Sequence, residues 1–191
     1  QLKSIVIPEG VECIEDYTFN GCKLLSNVTL PKGLITIGNY VFEDCISLEE
    51  IELPEKLENV GNSGFANSGL KEVVLPEGLK ILKYNVFESC KQLESVYIPA
   101  SLDGAGYYGV FADCPNLKTV TFEEGITTIP ENIFAEAYIS EIEIPETVTK
   151  IEKHAFRDCT QLKSIVIPDG VDCIEDYTFY GCKVLSDVSL P

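Results

Sequence analysis

Short bursts in which apolar and variable residues alternate recur along the whole chain, and nearly every burst ends on proline. The first copy, Leu2-Lys3-Ser4-Ile5-Val6-Ile7-Pro8, sets the pattern. Its leading slot is filled in turn by Leu2, Leu25, Leu48, Leu70, Leu93, Leu117, Ile139, Leu162 and Leu185. Alternation with period two predicts a short strand with one buried face. Proline cannot donate to a ladder and closes the strand at Pro8, Pro31, Pro54, Pro76, Pro99, Pro145, Pro168 and Pro191; only Phe122-Glu123 departs from the rule. The second half of each unit places apolar residues three apart, as in Val11 with Ile14 and Val148 with Ile151. That spacing predicts a turn, or a 3₁₀ or short helical piece, too brief for a full helix. Each unit then reaches a phenylalanine: Phe19, Phe42, Phe65, Phe87, Phe111, Phe134, Phe156 and Phe179 follow one another at intervals of 22 to 24 residues. Such a period predicts a solenoid whose rungs pack only on their neighbours around one continuous core.

Three residues after the phenylalanine stands Cys22, Cys45, Cys90, Cys114, Cys159 or Cys182, replaced by Ser68 and Ala137 in two rungs. Exchange with serine and alanine within one chain points to a small buried side chain rather than a cross-link, which would need its partner. Cys13 and Cys173 occupy a slot held elsewhere by Thr36, Asn59, Ile81, Thr128 and Lys150, and are expected to be exposed free thiols.

The full rung, strand-proline, then Val-x-x-Ile, then a small residue, Phe and Cys, resembles the BspA-like leucine-rich repeat, L-x-x-I-x-I-P followed by V-x-x-I and A-F-x-x-C. The unit Ile139 to Gln161, ISEIEIPETVTKIEKHAFRDCTQ, carries every element except a leucine at its start. The resemblance implies an α/β repeat solenoid: a right-handed leucine-rich-repeat arc with a parallel sheet on its concave side and turns, 3₁₀ or short helices on its convex side. It also implies a non-enzymatic recognition or adhesion module of a secreted or cell-surface protein, with no family active-site residues to carry over. The alternative is a structural spacer or intracellular scaffold repeat within a larger protein.

Uninterrupted repetition over residues 1–191 leaves no linker, so one leucine-rich-repeat domain of about eight rungs is expected, a fragment of a longer array. Solenoid ends need polar caps; none is recognisable, so end-to-end packing through the terminal rungs is the other expectation. A longer period lies above the first. Residues 1–31 and 161–191 agree at 25 of 31 positions, differing only at Glu9/Asp169, Glu12/Asp172, Asn20/Tyr180, Leu24/Val184, Asn27/Asp187 and Thr29/Ser189. Duplication of a seven-rung block accounts for this and would repeat any surface patch about 34 Å further along, at roughly 4.8 Å per rung.

Charge changes the picture of partners. With 14 basic against 31 acidic residues the net charge is −17, which repels nucleic-acid backbones and anionic lipid, and no run is apolar enough to insert into a membrane. A protein ligand remains, such as a host matrix or cell-surface protein. The outward slots of the strands supply the candidate residues: Glu50, Glu52, Glu72, Glu141 and Glu143, with Thr121, and with Tyr97 as an aromatic anchor. Parallel stacking would set Glu50 beside Glu72 as like-charged neighbours. Carboxylates in this pattern could also hold calcium weakly, but no dedicated calcium loop is present and no metal is assigned.

Rung 5 is irregular. Asp103-Gly104-Ala105-Gly106-Tyr107-Tyr108-Gly109 contains one extra residue and matches G-x-G-x-x-G by letter, but it runs at once into Phe111 and Cys114 instead of opening a helix, so no dinucleotide site is expected. Tyr107 and Tyr108 on this loop are second-choice binding residues. His154, the only histidine, fills a slot otherwise held by Tyr17, Tyr40, Ser63, Asn85 and Tyr177, and reads as a variant of a surface position. No C-x-x-C pair exists, no cofactor is implied, and Asn27-Val28-Thr29 is a glycosylation sequon by letter alone.

Overall fold

In the computed structural model, which describes residues 2–106 and 108–190, the chain winds as a parallel β-solenoid of about eight rungs. The strands in chain order are β1 (Ser4–Val6), β2 (Cys13–Ile14), β3 (Asn27–Thr29), β4 (Thr36–Ile37), β5 (Asn59–Val60), β6 (Glu72–Val74), β7 (Ile81–Leu82) and β8 (Ser95–Ile98). They continue as β9 (Gly104–Ala105), β10 (Thr119–Phe122), β11 (Thr128–Ile129), β12 (Lys150–Ile151), β13 (Ser164–Val166), β14 (Cys173–Ile174) and β15 (Asp187–Ser189). All pairings are parallel between successive rungs, as in Val73 beside Val96 and Val96 beside Val120.

Two features differ from the sequence expectation. No helix occurs among the described residues, so the architecture is all-β with turns, not α/β: five or so residues around each phenylalanine have too few positions for a helical nucleus and close as tight turns instead. The segment expected to be helical begins with a second strand. Residues such as Thr36–Ile37 and Asn59–Val60 stack from rung to rung into a second sheet, ordered β2-β4-β5-β7-β9 and, after a break, β11-β12-β14.

The turn around the phenylalanine is held by two left-handed residues. Two positions before the ring, Tyr17, Tyr40, Ser63, Asn85, Asn132, His154 and Tyr177 have φ between 50° and 61°. Two positions after it, Asp44, Asn67, Ser89, Asp113, Glu136 and Asp158 have φ between 53° and 62°, and Gly21 and Gly181 fill that slot in the first and last rungs. Asn and Asp tolerate this conformation best, and a β-branched residue would be strained there. The reversal drives the phenylalanine inward. All eight rings stack in one column, with centroids 5.2 to 6.1 Å apart. The six inner rings are fully buried, whereas Phe19 is 9% exposed and Phe179 is half-buried at the other end.

The cysteine slot has a chemical reason beyond size. Each thiol donates to the carbonyl of the phenylalanine one rung back: Cys45 to Phe19, Cys90 to Phe65, Cys114 to Phe87, Cys159 to Phe134 and Cys182 to Phe156, at 3.0 to 3.3 Å. Each of these carbonyls also accepts the backbone N–H three residues on, as Phe87 O does from Cys90 N–H at 3.3 Å, so the thiol engages its second lone pair. All eight cysteines are free; Cys13 and Cys173 are exposed, and Cys45, Cys90, Cys114 and Cys159 are buried, but Cys22 and Cys182 in the end rungs are only half-buried because fewer rungs cover them, against the expectation that the whole slot is buried. Burial pushes the Cys45 thiol up to about 12 and the Cys90 thiol up to about 11, and it raises Cys114 further. A side-chain ladder reinforces the first rungs: Asp16 accepts from the Asn39 amide N–H and side chain at 2.7 and 2.9 Å, Asn39 Oδ1 from the Asn62 N–H, and Asn62 Oδ1 from the Tyr84 N–H.

Candidate functional site

The first sheet is not continuous. It divides into β1-β3, β6-β8-β10 and β13-β15, so the expected strands of rung 3 (Glu50-Ile51-Glu52) and rung 7 (Glu141-Ile142-Glu143) do not join a ladder. Residues 50–53 form no backbone hydrogen bond with either neighbour among the described residues; Lys71 N–H to Glu49 O, at 3.1 Å, is the nearest tie. Glu143 keeps an isolated bridge to Val166. These two strands share a property found in no other first-sheet strand: both outward slots are glutamate. Two carboxylates about 7 Å apart on one strand face repel, and glutamate is a poor strand former, so the cost falls on the ladder at these rungs.

Each opening is a cleft. The one at rung 3, about 730 Å³, is walled by Asn27 and Thr29 on one side, Glu50 and Glu52 in the middle, and Glu72 and Val74 on the other. The one at rung 7, about 610 Å³, is built from Thr119 and Val120, Glu141 and Glu143, and Ser164 and Val166. Read across the central outward slot, the sequence is Thr29-Glu52-Val74 at the first opening and Thr121-Glu143-Val166 at the second. The two lie four rungs apart, about 19 Å at roughly 4.8 Å per rung. Val74 and Val166 are 56% and 64% exposed, apolar surface set beside carboxylates.

The expected site residues therefore divide into three groups. Glu50, Glu52 and Glu72 line one cleft; Glu50 and Glu72 face it from two rungs and are not ladder neighbours, because the ladder that would pair them is open. Glu141 and Glu143 line the second. Between them Tyr97 stands half-buried in β8, in register with Val74 and Thr121. Partial burial, with the carboxylates of Glu123 and Glu77 near, raises its phenol above the usual range. Glu49 is neutralised by Lys71, whereas none of the five candidate glutamates takes part in an ion pair among the described residues. Tyr108 is elsewhere: exposed on the outer turn of rung 5, its ring meets Tyr84 edge-on at 6.1 Å. Tyr107 lies outside the described residues. His154 stacks on Tyr177 at 5.4 Å, with Nδ1 3.9 Å from a Glu131 carboxylate oxygen. No group of three or more His, Cys, Asp or Glu side chains suited to a metal ion occurs among the described residues.

With this geometry in place, family comparison is decisive. The model of the BspA-type leucine-rich repeat region matches residues 1–109 and 107–191. The chain belongs to that family. No curated protein is matched. Among solved structures, a leucine-rich repeat protein of Bacteroides ovatus aligns with a TM-score of 0.63 at 26% identity, over 97% of this chain and 54% of its own. A leucine-rich cell surface protein of Faecalibacterium prausnitzii aligns with a TM-score of 0.54 at 28% identity, over 99% of this chain and 60% of its own. The pneumococcal vaccine antigen PcpA shares the fold, with a TM-score of 0.56 at 24% identity over 99% of this chain and 51% of its own. This BspA-type chain thus spans between half and two thirds of the length of these structures.

The sequence singled out the glutamates and Tyr97 as candidates but not the residues that face them. Asn27, Thr29, Val74, Ser164 and Val166 become cleft walls because the ladder opens beside them, and nothing in their own identity signals it.

Proposed function

We propose that this BspA-type array is a protein-recognition module of a secreted or cell-surface protein, and that it binds through the first-sheet face. The observation that carries this reading is the repeated pair of clefts at the two rungs where the ladder opens, each with two glutamates at its centre, a threonine on one side and an exposed valine on the other. Each cleft combines unpaired carboxylates, a small hydroxyl side chain, an exposed valine and strand edges whose backbone groups lack ladder partners. An extended partner segment with alternating basic and apolar side chains fits those terms, by strand addition and charge pairing together. Tyr97, between the clefts, supplies an amphipathic anchor of the kind that dominates interface energetics. Two weak contacts on one partner gain from the short distance between them, since the second becomes effectively intramolecular. The likeness to a described cell surface protein supports the location.

The test is binding to an immobilised panel of host matrix and cell-surface proteins, comparing the native chain with a Glu52→Lys, Tyr97→Ala double variant. Binding to at least one member should weaken as salt rises from low to physiological strength, because exposed charges are screened over about 8 to 10 Å, and the double variant should bind least. A ligand held equally by both chains across that range would place recognition away from the first-sheet face.

A further inference from the structure

A third break lies in the other sheet. Strand β9, Gly104–Ala105, pairs with β7 and ends its ladder, and β11 of the next rung starts a new one. Rung 5 carries the extra residue of the irregular Gly104-Ala105-Gly106 segment, and its register is lost just there. The result is a cleft of about 470 Å³ whose lining includes Lys83, Tyr84, Asp103, Gly104, Glu131 and Asn132.

Three details distinguish this cleft from a mere gap. Asn132 is 1% exposed, yet its Oδ1 has no hydrogen-bond partner, although buried acceptors are ordinarily satisfied. A side chain added at Gly104 would meet nothing within 4 Å, so the β9 backbone lies bare toward open space. Gly106 is the opposite case: a Cβ there would come within 2.3 Å of the Tyr84 ring, so only glycine lets the chain run flat against that ring and hold it in place. Tyr108 meets the same ring edge-on from the other rung, and Tyr84 remains 46% exposed.

We propose that this cleft binds a saccharide, with a pyranose ring laid on Tyr84 and its hydroxyls shared among Asn132, Asp103, Glu131 and Lys83. An orphan amide oxygen calls for a donor, two carboxylates accept only, and an ammonium donates only. A neutral polyol satisfies all of them because each hydroxyl both donates and accepts. The apolar C–H face of a pyranose matches an exposed tyrosine ring whose polar tip stays wet. An anionic ligand would meet two carboxylates on a chain of net charge −17, and an organic cation would meet Lys83. The volume falls within the range of small-ligand clefts and accommodates one or two sugar rings. This site is independent of the first-sheet face.

The chain has nine tyrosines and no tryptophan, so its fluorescence reports directly on rings such as Tyr84. Cellobiose, maltose, mannobiose and diacetylchitobiose would be titrated into the native chain, followed by tyrosine fluorescence and by amide resonances of Gly104 and Asn132. At least one should give a saturable change at those resonances. Tyr84→Ala should weaken it about tenfold or more, and Gly104→Leu, for which there is room in the backbone, should abolish it by filling the cleft. Unfolding midpoints close to native would show that both variants fold, and either one alone suffices for the test. The proposal is overturned if no disaccharide shifts these resonances up to about 50 mM, an affinity too weak for a built site. It is equally overturned if tetramethylammonium shifts them and the sugars do not, or if both variants bind like the native chain.

Discussion

Rungs 4 to 6 and rungs 3 and 7 are built from one repeat, yet the first group closes its ladder and the second does not. In β6, β8 and β10 the outward pairs are Glu72 with Val74, Ser95 with Tyr97 and Thr119 with Thr121, at most one carboxylate per strand, and inward Val73 and Val96 are 2% exposed. In rungs 3 and 7 both outward slots are glutamate and the ladder opens; inward Ile51 and Ile142 are half-buried, as is Val120 of the closed β10, so charge and not core burial separates the two groups. The phenylalanine column ignores the difference: Phe65 to Phe87 is 5.4 Å and Phe134 to Phe156 is 5.6 Å. Rise and stacking are thus fixed by the core, and the sheet is free to open locally where its surface chemistry demands it. A solenoid can in this way place binding clefts without interrupting its own continuity.

The largest effect expected is on the element that both groups share. Phe87→Ala in a closed rung and Phe65→Ala in an open one should each cost about 3 to 5 kcal/mol, since either leaves a cavity in a fully buried column. Phe179→Ala, at the half-buried end, should cost clearly less. Urea midpoints of the three variants check this; a mild loss at Phe65 alone would mean that the core, too, opens at rung 3.

The thiols come next. Cys114→Ala removes one of the two donors to the Phe87 carbonyl, which keeps the Cys90 N–H, and should cost about 0.5 to 1.5 kcal/mol, whereas Cys114→Ser keeps a hydroxyl donor in the slot and should cost less. Because burial raises the Cys45 and Cys90 thiols above their ordinary value of 9.0, the folded state holds these two protons longer than the unfolded one. Their contribution is therefore complete below pH 9 and is lost as pH rises from about 9 toward about 12, a loss that a Cys45→Ala, Cys90→Ala variant should show less steeply in denaturant midpoints. Cys13 is held protonated by partial burial and by Glu15 and Asp16, but its exposure should still let it and Cys173 react with an alkylating reagent before the other six.

Smaller still is the change that should erase the comparison itself. Replacing Glu50 and Glu52 by threonine gives rung 3 the outward pair of β10, relieves like-charge repulsion and should add about 0.5 to 1 kcal/mol of stability. The amides of residues 50–52 should then exchange as slowly as those of β6. Unchanged fast exchange would show that the opening has another cause.

Sequence reading recovered what repeats with a strong period. Eight phenylalanines in register and alternation closed by proline were enough for the rung, the first sheet and the buried cysteine slot. The second sheet was hidden because its strands, such as Thr36–Ile37, are two residues long, too short to show alternation, and three-apart apolar spacing mimics a helical turn. Left-handed residues beside the phenylalanine were hidden because Tyr17 and Glu136 adopt that conformation under packing and not by preference. The glutamates were visible as charge; that two of them on one strand open a ladder depends on neighbours such as Thr29 and Val74, which only the stack brings together. Asn132 gave no signal at all, since its meaning rests on an unpaired oxygen.

Titration of the isotopically labelled chain with an alternating lysine-valine octapeptide, read by amide chemical shifts at low and physiological salt, tests the central claim most directly. Shifts should concentrate at residues 27–29, 50–52 and 72–74 and again at 119–121, 141–143 and 164–166, weaken with salt, and vanish in a variant with Glu50, Glu52, Glu141 and Glu143 all changed to threonine. Shifts scattered over other faces, or retained in that variant, would contradict the assignment of recognition to the two open rungs.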